Sequence, residues 1–170
     1  MGLISEKLNN QLNELVGKCF AINRMLDRGM SLLKVRWKLI KTSDTLHSKV
    51  AHAYPSSIFA DGISDYQALR DCETIYPATP IGNKDYSTPI DFFIDYHKEN
   101  LELENMIKDA IEEAVEEGDH TTKKFLDGLL NNLSSFTALS QDLVDLFSKC
   151  DNNKFYMQML DSEIDDYVNI

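Results

Sequence analysis

At 170 residues, 43% of them hydrophobic, the chain is long enough for one domain with a real core and too apolar to stay disordered. A net charge of −11 excludes the clustered lysines and arginines that grip nucleic-acid phosphates, and no apolar run is long enough to cross a bilayer. Three scattered cysteines, Cys19, Cys72 and Cys150, argue against a disulfide framework or a zinc knuckle and predict idle thiols in a reducing compartment. Residues 1–6 have neither a basic region nor a long apolar stretch, so no signal peptide and a cytoplasmic location are expected.

The first segment carries Leu8, Leu12, Leu15, Cys19, Ile22, Leu26, Gly29 and Leu33 at alternating spacings of four and three. That is the seam of a helix lying along a bundle core. The pattern can run on through Trp37 and Ile40, for a rod of ~50 Å at ~1.5 Å per residue, with a bend expected at Asp27-Arg28-Gly29. A second helix is predicted from a cap at Thr42-Ser43-Asp44, through Leu46, Val50, Ile58, Ile63 and Leu69. Pro55 falls inside it and should loosen it, because proline lacks the backbone donor.

Two prolines and a glycine between Ile75 and Tyr86 mark a long connection. The third helix opens with Thr88 as N-cap and Pro89 in its first position, and its stripe reads Ile90, Phe93, Ile94, Leu101, Ile107, Ala110, Ile111 and Ala114. Gly118 ends it and Asp119 caps the fourth helix, so these two must be antiparallel neighbours. The fourth carries Phe125, Leu129, Leu133, Phe136, Leu139, Leu143 and Phe147. In the tail, Phe155, Tyr156, Met159, Leu160, Ile164 and Tyr167 predict a short fifth helix packed on the bundle end or on a neighbouring subunit.

Two long helices, a long crossover and two more long helices match the connectivity of ferritin-like bundles. The expected fold is therefore all-α: a ferritin-like four-helix bundle over residues 1–150, with the long crossover between helices 2 and 3, and a tail with a short helix over 151–170.

The stretch from Glu116-Glu117-Gly118-Asp119-His120 to Leu126 resembles the turn between the third and fourth helices of ferritins and of the Dps (miniferritin) family. Arg36-Trp37, Leu46-His47 and Ala60-Asp61-Gly62-Ile63-Ser64-Asp65 resemble, in order, the Dps ferroxidase stretch. The resemblance spans most of residues 8–147 and makes His47, Asp61 and Asp65 candidate metal ligands. Four residues apart on a helix, Asp61 and Asp65 share a face and are able to share a hard cation. The sequence departs from the family at Arg36, where a second histidine is expected, and at Ala51, where an acid is expected. A guanidinium repels a metal ion.

A second register resembles the larger ferritins: Asp44-Thr45-Leu46-His47 mimics their Glu-x-x-His pair, adding Asp44 as a candidate, with Glu14 and Glu99 or Glu102 on neighbouring helices. The fourth helix offers Asn131, Asn132, Ser134 and Ser135 where glutamates are expected. Glu112, Glu113, Glu116 and Glu117 read as a solvated face. His52, His97 and His120 have no partner at ligand spacing and read as structural or exposed, and Trp37 reads as core or interface. No catalytic group beyond metal ligands, and no glycine-rich phosphate loop, suggests itself.

The resemblance implies iron as the metal, oxidation of Fe(II) by peroxide or oxygen, and storage of ferric mineral in a hollow homo-oligomeric shell, a dodecamer in the Dps case, as protection against oxidative stress. It implies no membrane, and the charge argues against nucleic acid. The alternative is a non-catalytic ferritin-like bundle with a degraded metal site, acting as a structural or binding protein.

Overall fold

Ser5 opens the first rod: its hydroxyl oxygen accepts from the Leu8 N–H at 3.0 Å, which starts α1 (Glu6–Val35). The computed structural model describes residues 2–169, the Ser56 side chain excepted, and no strand occurs among the described residues. The predicted seam from Leu8 to Leu33 is buried along the whole of α1. α1 continues without a break through Gly29, and the glycine serves packing. A Cβ at Gly29 would fall within the ring of Phe92, so only a bare backbone lets that aromatic reach the helix.

α1 stops earlier than its periodicity suggests. Lys38 adopts a left-handed conformation, φ 59°, and the N–H of Leu39 turns back to the Leu33 carbonyl at 2.8 Å. This is the geometry that closes helix ends. Trp37 and Ile40 match the seam in spacing but belong to the corner and to the next rod.

The second rod runs from residue 40 to residue 69 in four pieces: α2 (Ile40–Leu46), a π-helical stretch (His47–Ala51), a second one (Tyr54–Asp61), and α3 (Gly62–Leu69). Its start corrects the expected cap at Thr42-Ser43-Asp44. The N-cap is Leu39, whose side chain caps nothing, while Thr42 and Ser43 are buried inside the helix. The loosening expected at Pro55 is present: a proline ring collides with the carbonyl four residues back, and a turn widened to i→i+5 bonding relieves it. Ile58 and Leu69, expected in the core, are exposed.

A long connection then crosses to the third rod. It is pinned near its start by a polar network: Gln67 donates to Asn9 and Asn13, and Thr74 donates to Gln67 at 2.7 Å. Thr88 and Pro89 start α4 (Pro89–Glu116) as predicted, and Gly118, φ 70°, ends it. The carboxylate of Asp119 accepts from the Thr122 N–H at 3.0 Å to begin α5 (His120–Lys149). α4 and α5 form the most extensive helix pair of the fold, and α1 packs on α4 and on the second rod. The inner stripe of α4 differs from expectation: Ile94 and Leu101 lie outside, while Phe92, Tyr96, Asn100 and Leu103 face in.

Asn153 caps α6 (Lys154–Ser162), which a 3-10 turn (Ile164–Asp166) follows. The tail packs on the second rod through buried Ile164 and Val168 and leaves Phe155, Tyr156 and Met159 exposed. Asp161 is its structural contribution. Its buried carboxylate accepts from the Thr42 N–H and the Thr42 hydroxyl, both at 2.7 Å. The tail thus caps α2, a task its own N-cap residue cannot do.

Candidate metal centre and bundle interior

The middles of the four rods meet in one layer. α1 contributes Cys19, the second π-helical stretch Tyr54, α4 Tyr96 and Asn100, and α5 Phe136, all buried. The Tyr54 hydroxyl donates to the Asn100 side-chain oxygen at 2.6 Å, and the Asn100 amide donates to the Phe136 carbonyl at 3.4 Å. The Tyr54 ring stacks on Phe136, centroids 4.7 Å apart, and meets the edge of Phe59 at 5.1 Å. Burial pushes the Cys19 thiol up to about 12 and the Tyr54 phenol well above its usual range. Every group here is therefore neutral at physiological pH.

Diiron bundles of the ferritin type hold their metal with carboxylates and histidines that project inward from all four helices. The layer here offers a thiol, two phenols, an amide and a benzyl ring, and Asp161 at the tail contact is the one buried carboxylate among the described residues. These residues do not fit a diiron centre inside the bundle. Two anionic oxygens in such a layer would carry a desolvation cost that a metal or a buried countercharge would have to offset. The neutral set needs no metal.

The residues proposed for the larger-ferritin register sit elsewhere. Glu99 and Glu102 both bind the Lys18 ammonium, Glu102 at 2.7 Å, so a fixed cation from α1 already offsets one of the pair's two negative charges and occupies the space between them. Lys18 in turn holds the Glu102 carboxyl below its usual range. Glu14 is exposed. Asp44 is exposed and pairs with Lys34 at 3.3 Å.

Of the residues proposed by the Dps register, His47, Asp61 and Asp65 are all exposed. Neither Asp61 nor Asp65 has a hydrogen-bond or ion-pair partner among the described residues. No group of three or more His, Cys, Asp or Glu side chains able to hold a metal occurs among the described residues, so these candidates do not converge within one chain. Arg36, in the place of the second histidine, donates to the Asp85 carboxylate at 2.6 Å and to the Tyr86 carbonyl at 3.1 Å. It secures the crossover to the end of α1.

Two of the histidines expected to be structural or exposed make side-chain contacts. His97 contacts the Ser140 hydroxyl at 2.8 Å. His52 lies against His47, Nε2 to Nε2 3.1 Å. Five residues apart, two side chains on a regular α-helix diverge by about 140°. The widened turn before Pro55 brings them together, and Pro55 was the one available signal in the sequence.

Taken as a class, this molecule is a four-helix bundle with ferritin connectivity. Solved structures agree. The chain superposes on a novel open-pore ferritin from the hyperthermophilic archaeon Archaeoglobus fulgidus with a TM-score of 0.87, covering 96% of this chain and 97% of that one at 19% identity. An engineered closed form of the same archaeal ferritin gives a TM-score of 0.85 with 94% and 95% covered, again at 19% identity. A humanized archaeal ferritin gives 0.85 with 94% of each chain covered, at 19% identity. No protein-family model and no curated protein matches the chain. The likeness is one of fold.

Proposed function

We propose that this chain is a ferritin-like subunit that assembles with copies of itself into a hollow shell for ferric iron, and that its own bundle contains no ferroxidase centre. The observation that carries the second half is the layer of Cys19, Tyr54, Asn100 and Phe136, which fills the bundle with neutral, buried side chains, Tyr54 bonded to Asn100 and stacked on Phe136. The first half is supported by likeness to ferritins over nearly the full chain. Exposed Ile75, Tyr76 and Ile81 on the crossover offer apolar contact to a neighbouring copy. The net charge of −11 draws cations such as Fe(II) toward the surface.

The narrower Dps reading, with a dodecamer, protection against oxidative stress and a site from His47, Asp61 and Asp65 completed across a two-fold contact, rests on the sequence resemblance. A second reading is a structural or binding bundle with no iron traffic. The lack of a convergent ligand group among the described residues favours it.

One experiment separates all three. Measure the solution mass, load the protein with Fe(II) without air, add air or peroxide, and follow the oxidation rate and the iron retained. A many-subunit assembly that retains iron, with an initial oxidation rate equal to buffer and unchanged by His47→Ala, is the expected result. Oxidation above buffer that His47→Ala abolishes would establish a ferroxidase site and overturn the proposal. A monomer or dimer, or a shell retaining no iron, would leave the structural reading.

A further inference from the structure

The contact between His47 and His52 is unlike an ordinary pair of surface histidines. Their Nε2 atoms are 3.1 Å apart while the ring centroids are 4.4 Å apart, so both rings turn their nitrogen edges toward each other although both are exposed. A solvated imidazole has no need of such a partner, since water satisfies either nitrogen. The pair is held by backbone geometry, with His47 opening the first π-helical stretch and His52 following its end.

We propose that His47 and His52 form a two-imidazole clamp for a borderline divalent cation, Ni(II), Cu(II) or Zn(II). With metal–nitrogen bonds of ~2.0–2.1 Å, nitrogens at this separation subtend roughly 95–100° at the ion. That lies between the right angle of square-planar or octahedral sites and the tetrahedral angle. In the metal-free protein one ring donates its Nε2–H to the other; on binding, that ring changes tautomer and carries its proton on Nδ1, so that both Nε2 lone pairs face the ion. Exposure leaves the remaining coordination positions to water. Nitrogen donors without a carboxylate select borderline cations over Mg(II) and Ca(II), and affinity for such a site rises from Fe(II) through Ni(II) to Cu(II). The clamp therefore ranks Ni(II) and Cu(II) above Fe(II), and it stands whether or not the chain forms a shell.

The test is titration calorimetry of the untagged full chain with nickel chloride in a non-coordinating buffer. One ion per chain is expected, with no saturable heat from magnesium chloride. His47→Ala and His52→Ala should each weaken binding roughly a hundredfold, because a second tethered donor acts at high effective concentration. His120→Ala, at the exposed start of α5, should bind as the parent does. His52→Gln keeps a polar side chain at an exposed position and serves if the alanine variant misfolds. Equal affinity in the parent and the His52 variants, one ion per two chains, or no saturable heat in the parent would each overturn the clamp.

Discussion

At the scale of single residues, the interior works by neutrality. Cys19 is fully buried beside Tyr54, and its thiol is raised to about 12 while in the unfolded chain it titrates near its ordinary value. A thiol that stays protonated when folded and ionises when unfolded makes the unfolded state bind fewer protons at alkaline pH. Its stabilising contribution is complete below the unfolded value and is lost as pH rises toward the folded one. We expect urea-derived stability to fall above about pH 9, with Cys19 contributing roughly 1 kcal/mol per pH unit. In Cys19→Ala the slope between pH 9 and 10.5 should be shallower by that amount; an identical slope would show that the thiol is not insulated as described. Tyr54 and Tyr96, raised by burial as well, steepen the loss at still higher pH in both proteins.

At the scale of elements, rods differ in how much of their structure they carry themselves. α1, α4 and α5 each have a capping side chain next to their first turn, Ser5, Thr88 and Asp119, and their starts are legible from those residues. α2 has no such residue, because its N-cap is Leu39. Its free N–H groups are met from 119 residues away in sequence by the Asp161 carboxylate. Asp161→Ala should therefore destabilise the protein by about 2 kcal/mol, the loss of charge-assisted bonds to a buried helix start. Denaturant unfolding measures it, and amide exchange should show the change concentrated at Lys41 and Thr42. A loss no larger than that of an exposed control such as Asp166→Ala would remove the capping role. The expected cap at Thr42-Ser43-Asp44 failed for a physical reason. Those residue types also occur inside helices when a tertiary partner satisfies them, as Thr42 does with Asp161 and Ser43 with the Met30 carbonyl.

At the scale of the whole molecule, the rods are linked directly through the centre of the bundle. The layer of Tyr54, Asn100 and Phe136 makes cross-rod hydrogen bonds and ring contacts where inward carboxylates would require a cation. The melting temperature in buffer without added transition metal should accordingly be the same with and without EDTA. A fall of several degrees on chelation would mean that a bound ion contributes folding energy, against the reading of the interior given above.

The order of rods, the long crossover and the Gly118-Asp119 turn follow from the sequence alone. Periodicity, caps and breakers act over a few residues, and those local signals here agree with the tertiary outcome. What the centre of the bundle contains was not legible in that way. Ile94 and Leu101 fit a core stripe as well as Phe92 and Asn100 do, and only the position of the Tyr54 hydroxyl makes an asparagine the better inward residue. The pairing of His47 with His52 depends on the turn that widens ahead of Pro55, a register that no fixed spacing rule describes. The tail's cap on α2 depends on contact between the two ends of the fold. Local chemistry determined which segments became helices; contacts between residues distant in sequence decided what those helices enclose.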